Sequence, residues 1–165
     1  MTTIDTPDDL DPRGPTTDPH GGAVYSYGGP PLKAGIDRDP HNLLPGFAAK
    51  VELLFQRLRA RGYRPLLWEG LRTPARAAML ARKGTGSARS MHCLGVAVDI
   101  IDERRKWGAS ADFWQAIGQE AAALGLTWGI RVRGRLDKPH VQAIPVAEQD
   151  EFRALDDAER AERVA

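Results

Sequence analysis

Apolar positions along this chain recur in two periods, and the switches between them mark its elements. Phe47, Val51, Leu54, Phe55 and Leu58 stand three or four apart, which places them on one helical face, and Gly62 supplies a stop. A core-facing helix is predicted there. Tyr63–Glu69 (YRPLLWE) reads as a strand, with Pro65 pointing to a sheet edge or an irregular start. Thr73 followed by Pro74 is a helix-opening pair, predicting a short helix to about Arg82. A glycine- and serine-rich loop, KGTGSARS, follows. Gly95–Ile101 (GVAVDII) is short, apolar and β-branched, hence a buried strand. Ser110 caps a helix whose Phe113, Trp114, Ile117, Ala121 and Leu124 share a face, and Gly125 ends it.

Further on, Leu126, Trp128, Ile130 and Val132 alternate with Thr127, Gly129, Arg131 and Arg133, as in a strand with one wet face. A basic turn leads to a second strand, His140–Ile144, and the two are expected to form a hairpin. These elements lack a βαβ rhythm. The expected fold class is therefore α+β, a small, mostly antiparallel sheet packed with helices. Residues 1–35, punctuated by Pro and Gly, read as a flexible tail. Residues 36–146 form the domain, and 147–165 a charged C-terminal helix anchored by Phe152 and Leu155.

Composition narrows the partners. A chain of 165 residues suits one domain, and 23 basic against 22 acidic residues leave a net charge of +1. That balance argues against a nucleic-acid binder. The single cysteine, Cys93, precludes an internal disulfide and is expected to be a small packed residue. The acidic N-terminus lacks the basic start and apolar stretch of a signal peptide, and no segment has the length to span a membrane. Synthesis as a soluble cytoplasmic chain is expected.

The candidate chemistry starts from Ser90–Asp99, S-M-H-C-L-G-V-A-V-D. On a strand, Val96, Val98 and Ile100 face one way, while Gly95, Ala97 and Asp99 face the other. A carboxylate among such neighbours costs several kcal/mol unless it is paired or ligates a metal. These ten residues leave two readings equally open: a structural salt bridge to an arginine, or a metal site shared with His92. His20 and His41 read as loop and turn residues. A second cluster, L-D-K-P-H, ends in His140. His92, Asp99 and His140 would make the three-ligand set of a catalytic zinc site, which leaves one position for water. Asp137 is then the natural general base, turned in from the hairpin loop, with His140 on the first strand position.

The pattern S-x-H-x-x-G-x-A-x-D (Ser90, His92, Gly95, Ala97, Asp99), joined to an acid-x-x-His pair (Asp137, His140), resembles the zinc D-alanyl-D-alanine carboxypeptidase and L-alanyl-D-glutamate endopeptidase family of cell-wall enzymes. G-L-R-T at Gly70–Thr73 and the W-G of Trp128–Gly129, followed by D-K-P-H-V-Q, agree with its phage endolysin-type branch. The resemblance covers about residues 39–144. It implies a hedgehog/D,D-peptidase-like fold, zinc on His92, Asp99 and His140, and Asp137 as base. It also implies that Arg72 and Ser90 meet substrate, Arg72 holding a carboxylate or a polarised carbonyl, with orientation of His92 as the other role open to Ser90. The implied partner is peptidoglycan, met by a monomer that acts on the wall after release by another protein. The implied activity is hydrolysis of a stem-peptide bond, L-alanyl–D-glutamate first and terminal D-alanyl–D-alanine second. A non-catalytic wall-binding module of the same fold is the alternative from another class. The family pattern often has an aromatic residue where Val141 stands and a second glycine where Ile130 stands, which bears on the shape of the substrate groove. Gly95 and Ala97 would leave room beside the metal.

Overall fold

The computed structural model of the protein describes Leu32 and residues 35–165. The expected N-terminal tail and His20 therefore lie almost wholly outside the described residues. Five helices, α1 (Pro45–Ala60), α2 (Pro74–Arg82), α3 (Ala111–Ala123), α4 (Gln149–Ala154) and α5 (Asp157–Val164), accompany six strands. The strands are β1 (Pro65–Glu69), β2 (Ala97–Asp102), β3 (Thr127–Trp128), β4 (Arg131–Val132), β5 (Arg135–Leu136) and β6 (His140–Gln142). Four of them form an antiparallel sheet in the order β1-β2-β6-β3, while β4 and β5 make a separate two-stranded ribbon. This is the α+β class read from the sequence.

Helices α2 and α3 begin where a side chain satisfies a free backbone N–H group. Thr73 accepts from the Arg76 amide and Ser110 from the Phe113 amide, as their positions predict. The apolar faces of α1 and α3 then cover one side of the sheet. Phe47, Val51, Leu54, Phe55, Leu58, Phe113 and Ile117 pack with Leu67, Val98, Ile100 and Val141 in one core. Burying each such side chain stabilises the fold by about 1.5–3 kcal/mol relative to exposure.

The opposite face carries polar residues, and register decides which. Across the sheet Asp99 is paired with His140 and Ala97 with Gln142. Regular alternation from Leu67 would send Glu69 into the core. Instead the β1–β2 register shifts between Leu67 and Glu69, so that Glu69 stands opposite Asp99. A bulge of this kind re-aims one side chain. Glu69, Asp99 and His140 consequently lie side by side on three adjacent strands.

Three expectations are corrected in detail. The strand predicted from Gly95 starts at Ala97, because Gly95 adopts φ 67° and closes a short 3-10 turn, Met91–Leu94. A Cβ at Gly95 would lie 3.2 Å from the Asn42 carbonyl oxygen and 3.3 Å from the Leu44 nitrogen. Its missing side chain serves this close approach rather than an open metal site, and Ala97 is buried in the core. The strand predicted over 126–132 stops at Trp128, where Gly129 turns the chain at φ 88°. Arg131–Val132 then pairs with Arg135–Leu136 through Arg133 and Gly134, both at positive φ, the signature of a type I′ hairpin. The expected β3–β6 pairing does form around this insertion. Finally, the charged C-terminal helix is two helices. Asp156 opens α5 with a reciprocal capping box to Glu159. Phe152 and Val164 are both buried in the main core, so this segment packs as part of it.

Candidate active site

The polar face of the sheet floors a cleft of about 520 Å³, lined by Glu69, Arg72, Ser90, His92, Asp99, Asp137 and His140 among others. All six residues singled out from the sequence are thus brought to one place. His92 and His140 are buried, and their rings meet edge to face. His92 Nδ1 lies 2.8 Å from the Gly70 carbonyl oxygen. A carbonyl can only accept, so Nδ1 carries the proton and the Nε2 lone pair faces the cleft. The Gln142 amide donates to the Ile144 carbonyl, which turns its Oε1 toward His140 Nε2 at 3.0 Å. His140 therefore donates from Nε2 and leaves Nδ1 free. Both imidazoles are oriented for ligation by partners on their far nitrogens.

The free donors converge. His92 Nε2 and His140 Nδ1 are 3.2 Å apart, and each is 3.4 Å from Asp99 Oδ1. An ion bound tetrahedrally at about 2.0–2.1 Å holds its ligands about 3.3–3.4 Å apart, so the triangle fits zinc in size. Two imidazole nitrogens also suit zinc better than magnesium or calcium. Among the described residues these three form the group able to hold a metal ion. Burial works against the charge on Asp99, but the His92 and His140 rings, when protonated, outweigh it and hold the carboxyl far below the usual carboxylate range. The other oxygen, Asp99 Oδ2, accepts from Arg72 Nη2 at 3.4 Å. The arginine pairing read for Asp99 is thus present, and its other oxygen faces the two histidines.

Asp137 sits between β5 and β6, in a turn pinned from several sides. Its N–H donates to the Ile130 carbonyl (2.9 Å), Trp128 Nε1 to the Lys138 carbonyl (2.7 Å), and the Ile100 N–H to the Pro139 carbonyl (2.9 Å). Burial, joined by the charge of Asp99, pushes the Asp137 carboxyl above its ordinary value. Ser90 caps the Met91–Leu94 turn by accepting from the His92 amide, and also accepts from Arg72 Nη1 at 3.4 Å. Arg72 is buried rather than a surface side chain near a helix start. Cys93 is half-buried and lies outside the metal-binding triangle, and burial raises its thiol. His41 forms a local turn with Asp39, as expected.

Three functional neighbours escaped the sequence reading. Gln142 and the Gly70 carbonyl orient the histidines, and a backbone carbonyl leaves no trace in residue type. Glu69 grips Arg72 at 3.1 and 2.7 Å and Arg76 at 2.6 and 3.4 Å. Burial raises its pKa, but the bonds from Arg72 and Arg76 more than reverse this and leave the carboxyl below its usual range. An acid in an apolar strand three residues before Arg72 was the available signal.

Comparison with known proteins follows the same lines. Residues 83–143 match a family model described as D-alanyl-D-alanine carboxypeptidase. No curated protein matches the chain. Among solved structures, the Serratia marcescens L-Ala D-Glu endopeptidase ChiX is 25% identical, over 68% of this chain and 86% of its own, with a TM-score of 0.51. The LdcB LD-carboxypeptidase shares the fold at 17% identity, over 74% of this chain and 70% of its own, with a TM-score of 0.50. The family resemblance read from the motifs is met over residues 83–143, and the stretch that carries His92, Asp99, Asp137 and His140 thereby matches the D-alanyl-D-alanine carboxypeptidase family.

Proposed function

We propose that the protein is a zinc-dependent peptidase that hydrolyses a peptide bond in the peptidoglycan stem. The observation that carries this reading is the convergence of His92 Nε2, His140 Nδ1 and Asp99 Oδ1 to 3.2–3.4 Å in a cleft that also holds Asp137 and Arg72. His92, Asp99 and His140 would hold the ion. When bound, zinc supplies a Lewis acid for the scissile carbonyl and lowers the pKa of water toward about 7.

The remaining work falls to the chain itself. Asp137, its pKa raised by burial and by Asp99, suits a base that accepts the proton of the attacking water and returns it to the leaving amine. Arg72 lines the same cleft as a fixed cation, placed to stabilise an oxyanion. Ser90 holds both the Arg72 guanidinium and the His92 backbone.

The bond assigned is L-alanyl–D-glutamate, supported by the 25% identity to an endopeptidase named for that bond. An endolysin-type role, as a monomer reaching the wall after release by another protein, goes with this assignment. Cleavage of terminal D-alanyl–D-alanine is the second reading, favoured by the description of the matching family model. Digestion of purified sacculi followed by mass spectrometry separates the two. New amino termini on D-glutamate are expected, and free D-alanine in their place would overturn the assignment. Asp137→Ala is expected to abolish lysis while zinc is retained. Undiminished lysis by that variant would remove Asp137 from the mechanism.

A further inference from the structure

Glu69 lies at the centre of the site's cation arrangement, although no step above uses it. It is 2% exposed and faces the cleft because of the β1 bulge. Its two oxygens take Arg72 Nε and Nη2 at 3.1 and 2.7 Å, a bidentate fork, and Arg76 Nε and Nη2 at 2.6 and 3.4 Å. A guanidinium has five N–H donors. In Arg72 two go to Glu69, one to Asp99 Oδ2 and one to Ser90 Oγ, each of the latter at 3.4 Å. One N–H remains, on Nη1. A carboxylate clamp needs two parallel donors, and both faces of the fork that could supply them are already occupied.

We infer that Glu69 is a positioning residue that locks the Arg72 fork, so that Arg72 offers substrate one Nη1–H, directed to the oxygen of the scissile carbonyl rather than to a substrate carboxylate. This rests on the proposed function. Glu69 itself touches no substrate. It fixes the plane of the guanidinium and keeps Nη2 against Asp99, so that one element orients both a metal-ligand carboxylate and an oxyanion donor. Loss of the Glu69 charge leaves the fork free to rotate, and misplacement by about 1 Å can cost on the order of 100-fold in rate.

The test uses the full chain loaded with zinc, and two muropeptides that differ at the residue after the scissile bond, D-glutamate or its α-carboxamide. Glu69→Gln keeps the volume but sets an amide N–H₂ against a guanidinium. It is expected to lower kcat about 10- to 100-fold with KM changed less than about threefold, at unchanged zinc content. Glu69→Asp, with the charge drawn back one methylene, falls between the two and serves as the readout if Glu69→Gln does not unfold cooperatively. In an Arg72→Ala background, Glu69→Gln should cost less than about twofold more, because the first change has already removed what Glu69 positions. Arg72→Ala should lower kcat by the same factor on the acid and the amide substrate.

Wild-type turnover with an unchanged kcat in Glu69→Gln would overturn the inference, as would equal losses in the two backgrounds. A loss in Arg72→Ala confined to the acid substrate would overturn it as well. A wild-type protein that cleaves neither muropeptide, while binding zinc, would instead refute the proposed function and take this inference with it.

Discussion

The two sides of the cleft are built on different principles. On the sheet side, Glu69, Asp99 and His140 occupy adjacent positions in β1, β2 and β6, Glu69 and Asp99 bonded to Arg72 and His140 to Gln142. On the other side stands the β4–β5 ribbon, two residues per strand, with exposed arginines and a turn at positive φ. Four of the arginines lining the cleft are held by carboxylates, Arg72 and Arg76 by Glu69, Arg89 and Arg153 by Asp150. Arg131 on the ribbon has no carboxylate within ion-pair distance among the described residues and bonds instead to the Gly134 carbonyl. The candidate chemical groups thus sit on the four-stranded sheet, whereas the ribbon contributes exposed arginines. Precise sites are more readily held by sheet and helix than by loops.

The difference can be broken at its strongest point first. His140→Ala removes one of three metal donors and should eliminate stoichiometric zinc. If the ion supplies several kcal/mol of transition-state stabilisation, activity falls on the order of 10³-fold. Metal analysis beside kinetics checks this, and retained zinc would show that the triangle is not the site.

Next in size is stability carried by the sheet side. Glu69→Ala leaves one buried and one half-buried guanidinium, Arg72 and Arg76, without their shared partner and should cost about 3–5 kcal/mol in urea unfolding. The pH dependence has a definite sign. The Glu69 pKa is lower in the folded protein than its ordinary value of 4.5. Its contribution is therefore complete above about pH 4.5 and lost as pH falls through the folded value. The gap between wild type and variant should be constant near neutrality and shrink in acid; a gap that widened in acid would contradict the pairing.

The smallest effect belongs to the ribbon. Arg131→Ala should raise KM for an anionic muropeptide about three- to fivefold with kcat unchanged, and the difference should fade with added salt. An equal effect at 1 M salt would mean that the arginine contributes packing rather than charge.

Much of this was legible in the chain. The helices of Phe47–Leu58 and Phe113–Leu124 follow from period and capping alone, since a helix is decided by neighbours three and four apart. The candidate ligands His92, Asp99 and His140 were legible because their residue types are costly to bury without a chemical reason. The ribbon was not. Alternation over Leu126–Val132 looked like one strand, and nothing local announced that Gly129 would turn the chain away from β6. Glu69 was hidden for a related reason. Strand alternation predicts its face, and the bulge that reverses it exists only in the pairing of β1 with β2.

By itself, then, the sequence determined the α+β class, the caps, the core-facing stripes and the residues able to bind a metal, all set by local spacing and by the cost of burying charge. Only the tertiary structure decided which nitrogen of each histidine points inward, that Asp99 serves both an arginine and the ligand triangle, and that Glu69 holds the Arg72 fork. Those outcomes depend on strand register and on carbonyls at Gly70 and Ile144, partners far apart in the chain or without a side chain, which no pattern of residue types encodes.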